Sequence, residues 1–531
     1  MGQPTTLLTP DLRNPSDAGD HQSATEDKAS RHRESGPKRY RTDIHRALKA
    51  ARCLKAQLRR ARQSLPEPAA MIAENRDPDR VPEAAGTAPL SVRMSEVLGA
   101  LSYALDLTEG QPPGHSLRCC WIAMRIGQAL RLPSTMLSDL YYGTLLKDAG
   151  CSSNAARLWE LYGGDDRLAK HDFKTVDTES LVQIGRFVLR HAGPGEALRG
   201  RVAKLLNLAR HGEALATELV KTRCERGANI VRRLGLAEPV AAGIYALDEH
   251  WNGKGRPSGL RGQEIPLIAR IALLAQVVDV FQAVGGPQDA LAEARRRAGT
   301  WFDPSAVAAF ETAAAQSNFW EGLSTDGLDV RVAALEPHSH VIMIDEDRLD
   351  QVAEAFAAVI DAKSSFTSGH SERVTLIADA IAEQMGMTAR QRRWLRRAAL
   401  LHDIGKLGVS NGILDKPGKL NEVEWIAIKR HAELSETILQ RSSIFRDLAP
   451  VAGAHHERLN GTGYPRGLKG AAIPIEARII MTADIFDALT AARPYRGPMP
   501  LPEAMALMEQ DRGSAMDAQC LDALRAHLGM T

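Results

Sequence analysis

The last third of the sequence carries histidines and aspartates whose types and spacing suit a metal centre. Neutral imidazoles and carboxylates bind borderline divalent metals such as iron, manganese or zinc, and an Asp beside a His is able to bridge neighbouring ions. Each histidine taken alone is more typical of a core or surface position. The ordered set, with helical segments between its members, instead predicts a metal centre. Its predicted ligands are His370, His402, Asp403, His431, His455, His456 and Asp484.

The chemistry that such a centre offers is the hydrolysis of a phosphoester. Adjacent ions activate water and offset the charge that builds on phosphoryl oxygens, so no protein nucleophile is required. Lys406 lies one helical turn after His402, and we expect it on the same face, binding a phosphate oxygen; a surface lysine is the alternative. His455 and His456 would point about 100° apart on a helix, which lets them reach two ions.

Five sequence blocks in this region resemble the HD-GYP family, in the family's order. They are GHSERV (369–374), LLHDIGK (400–406), ILDKPGKL (413–420), HHERLNGTGYPRGL (455–468) and ADIFDALTAARPYR (483–496). The resemblance covers the whole last third of the chain. It implies hydrolysis of cyclic di-GMP to a linear dinucleotide or to GMP, in bacterial second-messenger signalling.

The resemblance also assigns roles to individual residues. All seven predicted ligands fall on the family's metal positions, with Asp403 as the expected bridge between iron or manganese ions. Asp403 and Lys406 are the predicted catalytic residues. Lys406 and Arg493 match phosphate-contacting positions, and the turn formed by Gly463, Tyr464 and Pro465 is predicted to contact the substrate and to dock onto diguanylate cyclase domains. A homodimer is a further expectation.

One position departs from the family pattern. Three-metal members carry a Glu one helical turn before the first His, and here that position is Phe366, whose ring cannot ligate a metal. We therefore expect two ions, with His370 either as a weaker ligand or as a group that supports the ligands.

A second copy of the motifs lies upstream. GHSLR (114–118) and LLKDAG (145–150) resemble GHSER (369–373) and LLHDIG (400–405) at a displacement of 255 residues, while 249–279 resembles 457–487 at a displacement of 208. The upstream copy therefore holds 47 extra residues between its blocks. We interpret it as a degenerate HD-GYP repeat.

Most ligand positions of the upstream copy have changed type. His402 is replaced by Lys147, His431 by Arg223, His455 and His456 by Leu247 and Asp248, and Asp484 by Gln276, whereas His115 and Asp148 are kept. Because cationic side chains repel a metal ion, we predict a metal-free, inactive copy that serves as a regulatory module or a structural support. Lys147 and Arg223 hold a phosphate in one interpretation; in the other, Lys147 pairs with Asp148.

The periodicity of the chain predicts an all-α protein built from tandem HD-domain helical bundles, with a disordered N-terminal arm. Residues 1 to 36 have few large apolar side chains, which predicts disorder. Lys38–Arg62 has ten basic residues, and its apolar residues recur with the helix period, which favours a charged solvated helix over an anchor for an anionic partner. Val341–Ile344 is a short β-type exception. The predicted parts are an arm at 1–90 with a basic amphipathic helix at 38–62, a degenerate repeat at 91–320, a linker at 321–349 and a catalytic domain at 350–531.

Composition excludes several classes of protein. The 67 basic and 65 acidic residues nearly cancel, which argues against general nucleic-acid binding. Six cysteines without a CxxC pair fit reduced thiols, and apolar stretches such as Ile265–Phe281 are interrupted by charges, so we expect a cytoplasmic protein without membrane insertion. Two alternatives stay open: a phosphohydrolase acting on another nucleotide, and a non-catalytic signalling scaffold.

Overall fold

A computed structural model describes residues 92–193, 198–364, 369–491 and 497–530, except for the side chains of four residues within helix 198–233. The predicted N-terminal arm with its basic helix, Phe366 and Arg493 lie outside these residues. The upstream half is helical. Its helices are α1 (Met94–Thr108), α2 (His115–Ala129), α3 (Ser134–Leu145), α4 (Ala155–Tyr162), α5 (Asp166–Phe173), α6 (Leu181–His191), α7 (Leu198–Arg233), α8 (Glu238–Tyr245), α9 (Leu267–Gly285), α10 (Pro287–Arg297), α11 (Pro304–Ala314), α12 (Asn318–Glu321) and α13 (Leu328–Ala333).

The downstream half is helical as well, and the all-α prediction is confirmed. Its helices are α14 (Glu346–Asp361), α15 (His370–Gln384), α16 (Ala389–Leu401), α17 (Asn411–Leu414), α18 (Glu422–Leu439), α19 (Ala449–Ala454), α20 (Ile475–Thr490), α21 (Leu501–Glu509) and α22 (Ala518–His527). Short 3-10 turns occur between them, of which Ile404–Gly408 matters most for the site. The strands of the described segments are β1 (Val92–Arg93) and β2 (Met343–Ile344), which pair antiparallel.

Helix starts in the two halves are built alike. Gly114 and Gly369 precede α2 and α15 with φ of 87° and 66°, a left-handed conformation that glycine adopts without strain. The preceding helix then supplies a carboxylate, Asp106 or Asp361, to a first-turn N–H group that has no partner within the new helix. This arrangement fixes the first residue of each helix, and in α15 that residue is His370.

The two repeats also share their internal polar contacts. His115 Nδ1 lies 2.7 Å from Asp279, and His370 Nδ1 lies 2.7 Å from Asp487. An arginine one turn later in each helix donates to the same aspartate. These matched contacts occupy equivalent positions of the self-similar blocks, so the upstream repeat keeps the fold while its ligand types have changed.

The repeats pack into one continuous apolar core, in which α1 contacts the turn Ile404–Gly408 and α18, and α7 contacts α14. The segment 321–349, predicted as a linker, contains α13 and β2, and its Leu328 and Ile344 are buried. One described helix, α9, has the length and apolar composition of a membrane span, but its residues are mostly buried against α2 and α10. It is the central helix of the upstream repeat.

Candidate metal centre

The seven predicted metal ligands converge on one buried site in the downstream repeat. Three groups of them have ligand atoms within 4.8 Å of one another: His431 with His455 and His456, His370 with His402 and Asp484, and His402 with Asp403 and His455. His370 begins α15, His402 and Asp403 follow α16, His431 lies in α18, His455 and His456 follow α19, and Asp484 lies in α20.

Backbone carbonyls fix the ring orientation of three of the histidines. A carbonyl oxygen only accepts hydrogen bonds, so the Nδ1 atom facing it must carry the proton and Nε2 keeps its lone pair. Nε2 is the atom that each ring turns toward the others. The pairs are His402 with Ala399, His431 with Ile428 and His455 with Ala452, at 2.7, 2.6 and 2.5 Å.

Asp403 lies between two sets of these nitrogens. Its Oδ2 atom is 3.2 Å from His402 Nε2 and 3.6 Å from His370 Nε2. Its Oδ1 atom is 3.4 Å from His431 Nε2 and 3.7 Å from His455 Nε2. One carboxylate therefore faces two different ligand groups with its two oxygens, the arrangement that a bridge between two ions requires.

Buried acceptor atoms at this site have no hydrogen-bond donor among the residues that the structure describes. They include Nε2 of His402 and Oδ1 of Asp403. The Nε2 atoms of His431 and His455 face each other at 3.2 Å, although both rings donate from Nδ1. Buried acceptors without donors are costly, and these residues therefore fit divalent cations placed among them.

Burial sets the protonation of the histidine cluster. It lowers the pKa of His431 to about 4 and that of His456 to about 3, so both rings are neutral at physiological pH. Burial also opposes ionisation of Asp403, but His402 and Lys406 beside it outweigh that effect and hold the pKa of the carboxyl well below its usual range. The site thus offers neutral imidazoles and an ionised carboxylate, the forms in which these groups bind metals.

His370 differs from the other histidines because carboxylates surround it. Its Nε2 atom lies 3.3 Å from Asp484 and also faces Asp403, while its Nδ1 atom donates to Asp487. Burial alone would lower the pKa of this ring, but the three carboxylates raise it to about 11. The protonated ring takes the place of a cation in the metal-free protein, and metal binding here must displace one proton.

The remaining predicted site residues line the edge of the cluster. Lys406 forms an ion pair with Asp403, although the α-helix stops at Leu401 and the chain reaches the lysine through a 3-10 turn. This turn corrects the single helix expected from the sequence, yet the lysine still meets the ligand group. The ring of Tyr464 packs at 4.8 Å from the ring of His456, and Lys429 Nζ lies 5.4 Å from the Tyr464 ring.

The predicted turn around Tyr464 is held by its backbone. Pro465 is exposed, and Gly463 leaves no room for a side chain, since a Cβ there would lie 2.5 Å from the carbonyl oxygen of His456. The buried carboxylate of Glu457 accepts the backbone N–H groups of Arg466 and Leu468. The turn is therefore anchored directly behind the ligand pair.

Sequence reasoning missed two supporting carboxylates, Asp487 and Glu457. Asp487 orients His370, and Glu457 shapes the turn. A signal for both was present in the internal repeat, because Asp279 and Glu249 stand at the matching positions and make the matching contacts. Carboxylates kept in a copy that has lost most of its ligand types serve the fold and the orientation of side chains.

In the upstream repeat, cations neutralise the carboxylates at the equivalent place. Lys147 pairs with Asp148, as one of the two sequence interpretations holds, and both side chains are fully buried. Lys174 lies 3.1 Å from Glu109, and Arg223 pairs with Asp248. Glu109, Asp148 and Cys151 lie close enough together to hold an ion, but these ammonium groups already balance their charge. The metal-free state stays a prediction.

Comparisons with known proteins extend over both repeats. An HD domain family model matches residues 203–306 and 354–520. The 3′3′-cGAMP-specific phosphodiesterase 3 of Vibrio cholerae is 50% identical over 437 residues, which is 82% of this chain and 95% of that protein. A crystal structure of a cyclic GMP-AMP-specific phosphodiesterase of V. cholerae has 45% sequence identity and a TM-score of 0.58, covering 83% of this chain and 99% of that one.

Other relatives match about a third of the chain. The cyclic di-GMP phosphodiesterase response regulator of Xanthomonas campestris is 40% identical over 181 residues, which is 34% of this chain and 48% of that protein. The likeness to the V. cholerae enzyme is long enough to include both repeats, whereas the likeness to the Xanthomonas protein covers about a third of the chain.

Proposed function

The chain belongs to the HD domain family and is of the HD-GYP type, and we propose that it is a metal-dependent phosphodiesterase that hydrolyses 3′3′-cGAMP. The family membership rests on the family model and on the 50% identity across both repeats. The coarser assignment, a phosphodiesterase of cyclic dinucleotides, agrees with the sequence prediction. The prediction of cyclic di-GMP as the substrate has no such support across the whole chain.

The observation that carries the proposal is the position of Asp403 between two groups of histidine nitrogens. His370, His402 and Asp484 would hold one ion on the Oδ2 side. His431 of α18, with His455 and His456 after α19, would hold another on the Oδ1 side. When bound, such ions supply an activated water and offset negative charge on phosphoryl oxygens. Their number and identity, two ions of iron or manganese, are part of the proposal.

The protein side chains supply the rest of the site. Lys406 places an ammonium group beside Asp403, where it favours the approach of a phosphate as a point charge. Tyr464 packs against the ring of His456 and offers an aromatic face at the edge of the site. The Nζ atom of Lys429 lies 5.4 Å from the centre of the Tyr464 ring. An anionic substrate with aromatic bases matches this combination.

Cyclic di-GMP is the second candidate substrate. Relatives named for activity on it, from Xanthomonas campestris and Thermotoga maritima, are 40% and 41% identical over about a third of this chain. We favour 3′3′-cGAMP because a relative that matches 82% of the chain is named as specific for it. A diguanylate cyclase partner, a homodimer and a cytoplasmic location stay predictions.

The deciding experiment compares hydrolysis of 3′3′-cGAMP and cyclic di-GMP by the full chain under anaerobic conditions, with metal content measured on the same samples. Asp403→Asn should lower both metal content and turnover, the latter by at least about 100-fold, because it removes a charged ligand shared by both groups. The matched control is Asp447→Asn, which changes an exposed carboxylate in the same repeat and should leave both unchanged.

Faster turnover of cyclic di-GMP than of 3′3′-cGAMP would replace the proposed substrate and keep the enzyme class. Metal-loaded protein that hydrolyses neither compound would favour another phosphoester. Protein that holds no metal and still binds partner proteins would favour the signalling scaffold.

A further inference from the structure

The upstream repeat contains a cavity of about 220 Å³ at the place that matches the downstream metal centre. Three of its lining residues, Arg223, Asp248 and Gln276, stand where the downstream repeat has His431, His456 and Asp484. The upstream repeat therefore has other residue types at the metal-ligand positions of the downstream repeat, but it still has a cavity at this place. Kept cavities of this kind are the usual places for small-molecule binding.

The interval that holds the 47 extra residues contributes to the wall of this cavity. Helices α4, α5 and α6 lie in that interval, between the two self-similar blocks, and Tyr162, Phe173 and Phe187 from these helices line the space. The ring of Phe187 packs edge-on against Tyr162 at 5.6 Å and against Phe173 at 5.3 Å. The insertion thus adds an aromatic wall to a site that has lost its metal ligands.

A second aromatic surface faces the same space. The rings of His250 and Trp301 are stacked at 4.0 Å, and both residues line the cavity. Burial lowers the pKa of His250 to about 4, so its ring is neutral. Its Nδ1 atom is buried and has no hydrogen-bond partner in the described part of the chain. A neutral ring nitrogen in need of a partner, beside a large aromatic surface, suits a planar heterocycle.

The charge of the lining is positive. Four cationic side chains, Lys170, Lys174, Arg223 and Arg256, stand against two carboxylates, Glu109 and Asp248. The two lysines share Glu109, at 3.5 and 3.1 Å. This excess of two positive charges would balance the charge of about −2 that a phosphate monoester carries near neutral pH.

Arg256 is the cation best placed to meet a ligand. Its Nε atom donates to the hydroxyl of Thr217 at 3.0 Å, and no carboxylate lies within ion-pair distance of it among the residues that the structure describes. Guanidinium groups bind phosphate with two parallel hydrogen bonds, which a carboxylate-paired arginine offers less readily. A cationic end and two aromatic walls in one cavity together define a nucleotide-like ligand.

We propose that this cavity binds a nucleoside monophosphate, with its phosphate at Arg256 and its base against the aromatic walls. The volume of about 220 Å³ is below the roughly 300–1,000 Å³ of pockets for drug-sized ligands, which favours one nucleotide over a whole cyclic dinucleotide. This site is separate from the downstream metal centre and does not depend on the activity proposed for that centre.

The test is calorimetric titration of GMP and of AMP into the full chain carrying Asp403→Asn, which weakens the downstream centre as a competing site. We expect binding of at least one of the two nucleotides at one site per chain. Arg256→Gln should weaken this binding at least tenfold, whereas Arg261→Gln, an exposed arginine of the same loop outside the cavity, should not change it.

A second variant keeps the test decisive. Ala216 lines the cavity from α7, and Ala216→Trp should fill the space and abolish binding while circular dichroism shows an intact helical fold. The proposal is overturned if neither nucleotide binds, if binding survives both Arg256→Gln and Ala216→Trp, or if inorganic phosphate or guanosine alone binds as tightly as GMP. A chain that hydrolyses no cyclic dinucleotide but passes these tests would reject the proposed function and keep this site.

Discussion

A buried ion pair between Asp166 and Lys363 connects α5 of the upstream repeat to the residues that follow α14 in the downstream repeat, and the free-energy cost of removing it can be worked out. The charged atoms are 3.1 Å apart, and both side chains are about 1% exposed. Asp166 also accepts hydrogen bonds from the N–H of Asn411 at 2.9 Å and from the hydroxyl of Ser410. Lys363 has this one carboxylate partner among the described residues. Lys363 therefore loses its counter-ion when Asp166 is removed, whereas Asp166 keeps two hydrogen bonds when Lys363 is removed.

The expected loss for Asp166→Ala is about 2–4 kcal/mol of unfolding free energy at pH 7. In the wild type, burial outweighs the attraction of Asp166 and lowers the pKa of Lys363 to about 8. In Asp166→Ala the buried lysine has no carboxylate partner, and we expect it to lose its proton, which costs about 1.4 kcal/mol at pH 7. The N–H of Asn411, left buried without an acceptor, adds about 1–3 kcal/mol. Lys363→Met should cost no more than about half as much, because Asp166 keeps its two other hydrogen bonds.

The pH dependence of this loss has a definite sign. The unfolded lysine keeps its proton to about pH 10.4, whereas the folded lysine of Asp166→Ala is already neutral at pH 7. The unfolded variant therefore binds one more proton than the folded variant, and its stability rises with pH across the whole window. Wild-type Lys363 loses its folded-state proton only near pH 8, so the gap between the two proteins should narrow by about 1.4 kcal/mol between pH 7 and pH 9.

Urea unfolding followed by circular dichroism, at pH 7 and pH 9, measures these differences for the wild type, both single variants and the double variant. The double variant should lose less than the sum of the single losses, since each single change removes the same contact. Equal losses for the two single variants, or a gap that does not change with pH, would refute this account of the pair.

Three further outcomes are expected. Arg167→Ala removes the 2.6 Å hydrogen bond to the carbonyl oxygen of Gly408, at the end of the turn that carries Lys406, and should lower kcat/KM for the cyclic dinucleotide about tenfold with metal content unchanged. The affinity for Mn²⁺, measured by calorimetry, should rise about tenfold per pH unit between pH 6 and pH 9, because binding displaces the proton of His370, and a flat profile would contradict this. Gly405→Ala places a Cβ 2.0 Å from a backbone oxygen of α18 and should cost more than about 3 kcal/mol and release metal, whereas Gly99→Ala, with open space around it, should not lower the unfolding midpoint.

The sequence was most informative where chemistry restricts the residue type. Metal ligands must be particular side chains, so His402, Asp403 and their partners stand out in the sequence, and the structure brings all seven together. The helical fold could also be predicted from the sequence, because apolar residues recur with the helix period through α1, α2 and α18. Asp487 was not predicted because a carboxylate that orients a ligand has no local pattern of its own.

Contacts between the repeats could not be predicted from local sequence patterns, because they join segments that are far apart in the chain. Asp166 and Asn411 are 245 residues apart, and nothing in the spacing of either segment indicates that they meet. The segment 321–349 reads as a linker because it is short in apolar periodicity, yet pairing of β2 with β1 joins its end to the start of the upstream repeat. A linker prediction weighs local composition alone, whereas burial of Leu328 and Ile344 depends on surfaces supplied from elsewhere.

The insertion of 47 residues gives the upstream repeat two roles at once. One face of α5 supplies Lys170 and Phe173 to the cavity, while its first turn supplies Asp166 and Arg167 to the loop that follows Asp403. Because a helix of eight residues moves as one body, we expect a shift of α5 at the cavity to move Asp166 and Arg167 as well. A repeat retained only as a structural support would need neither an aromatic cavity nor an excess of positive charge inside it, and these two features favour a regulatory module.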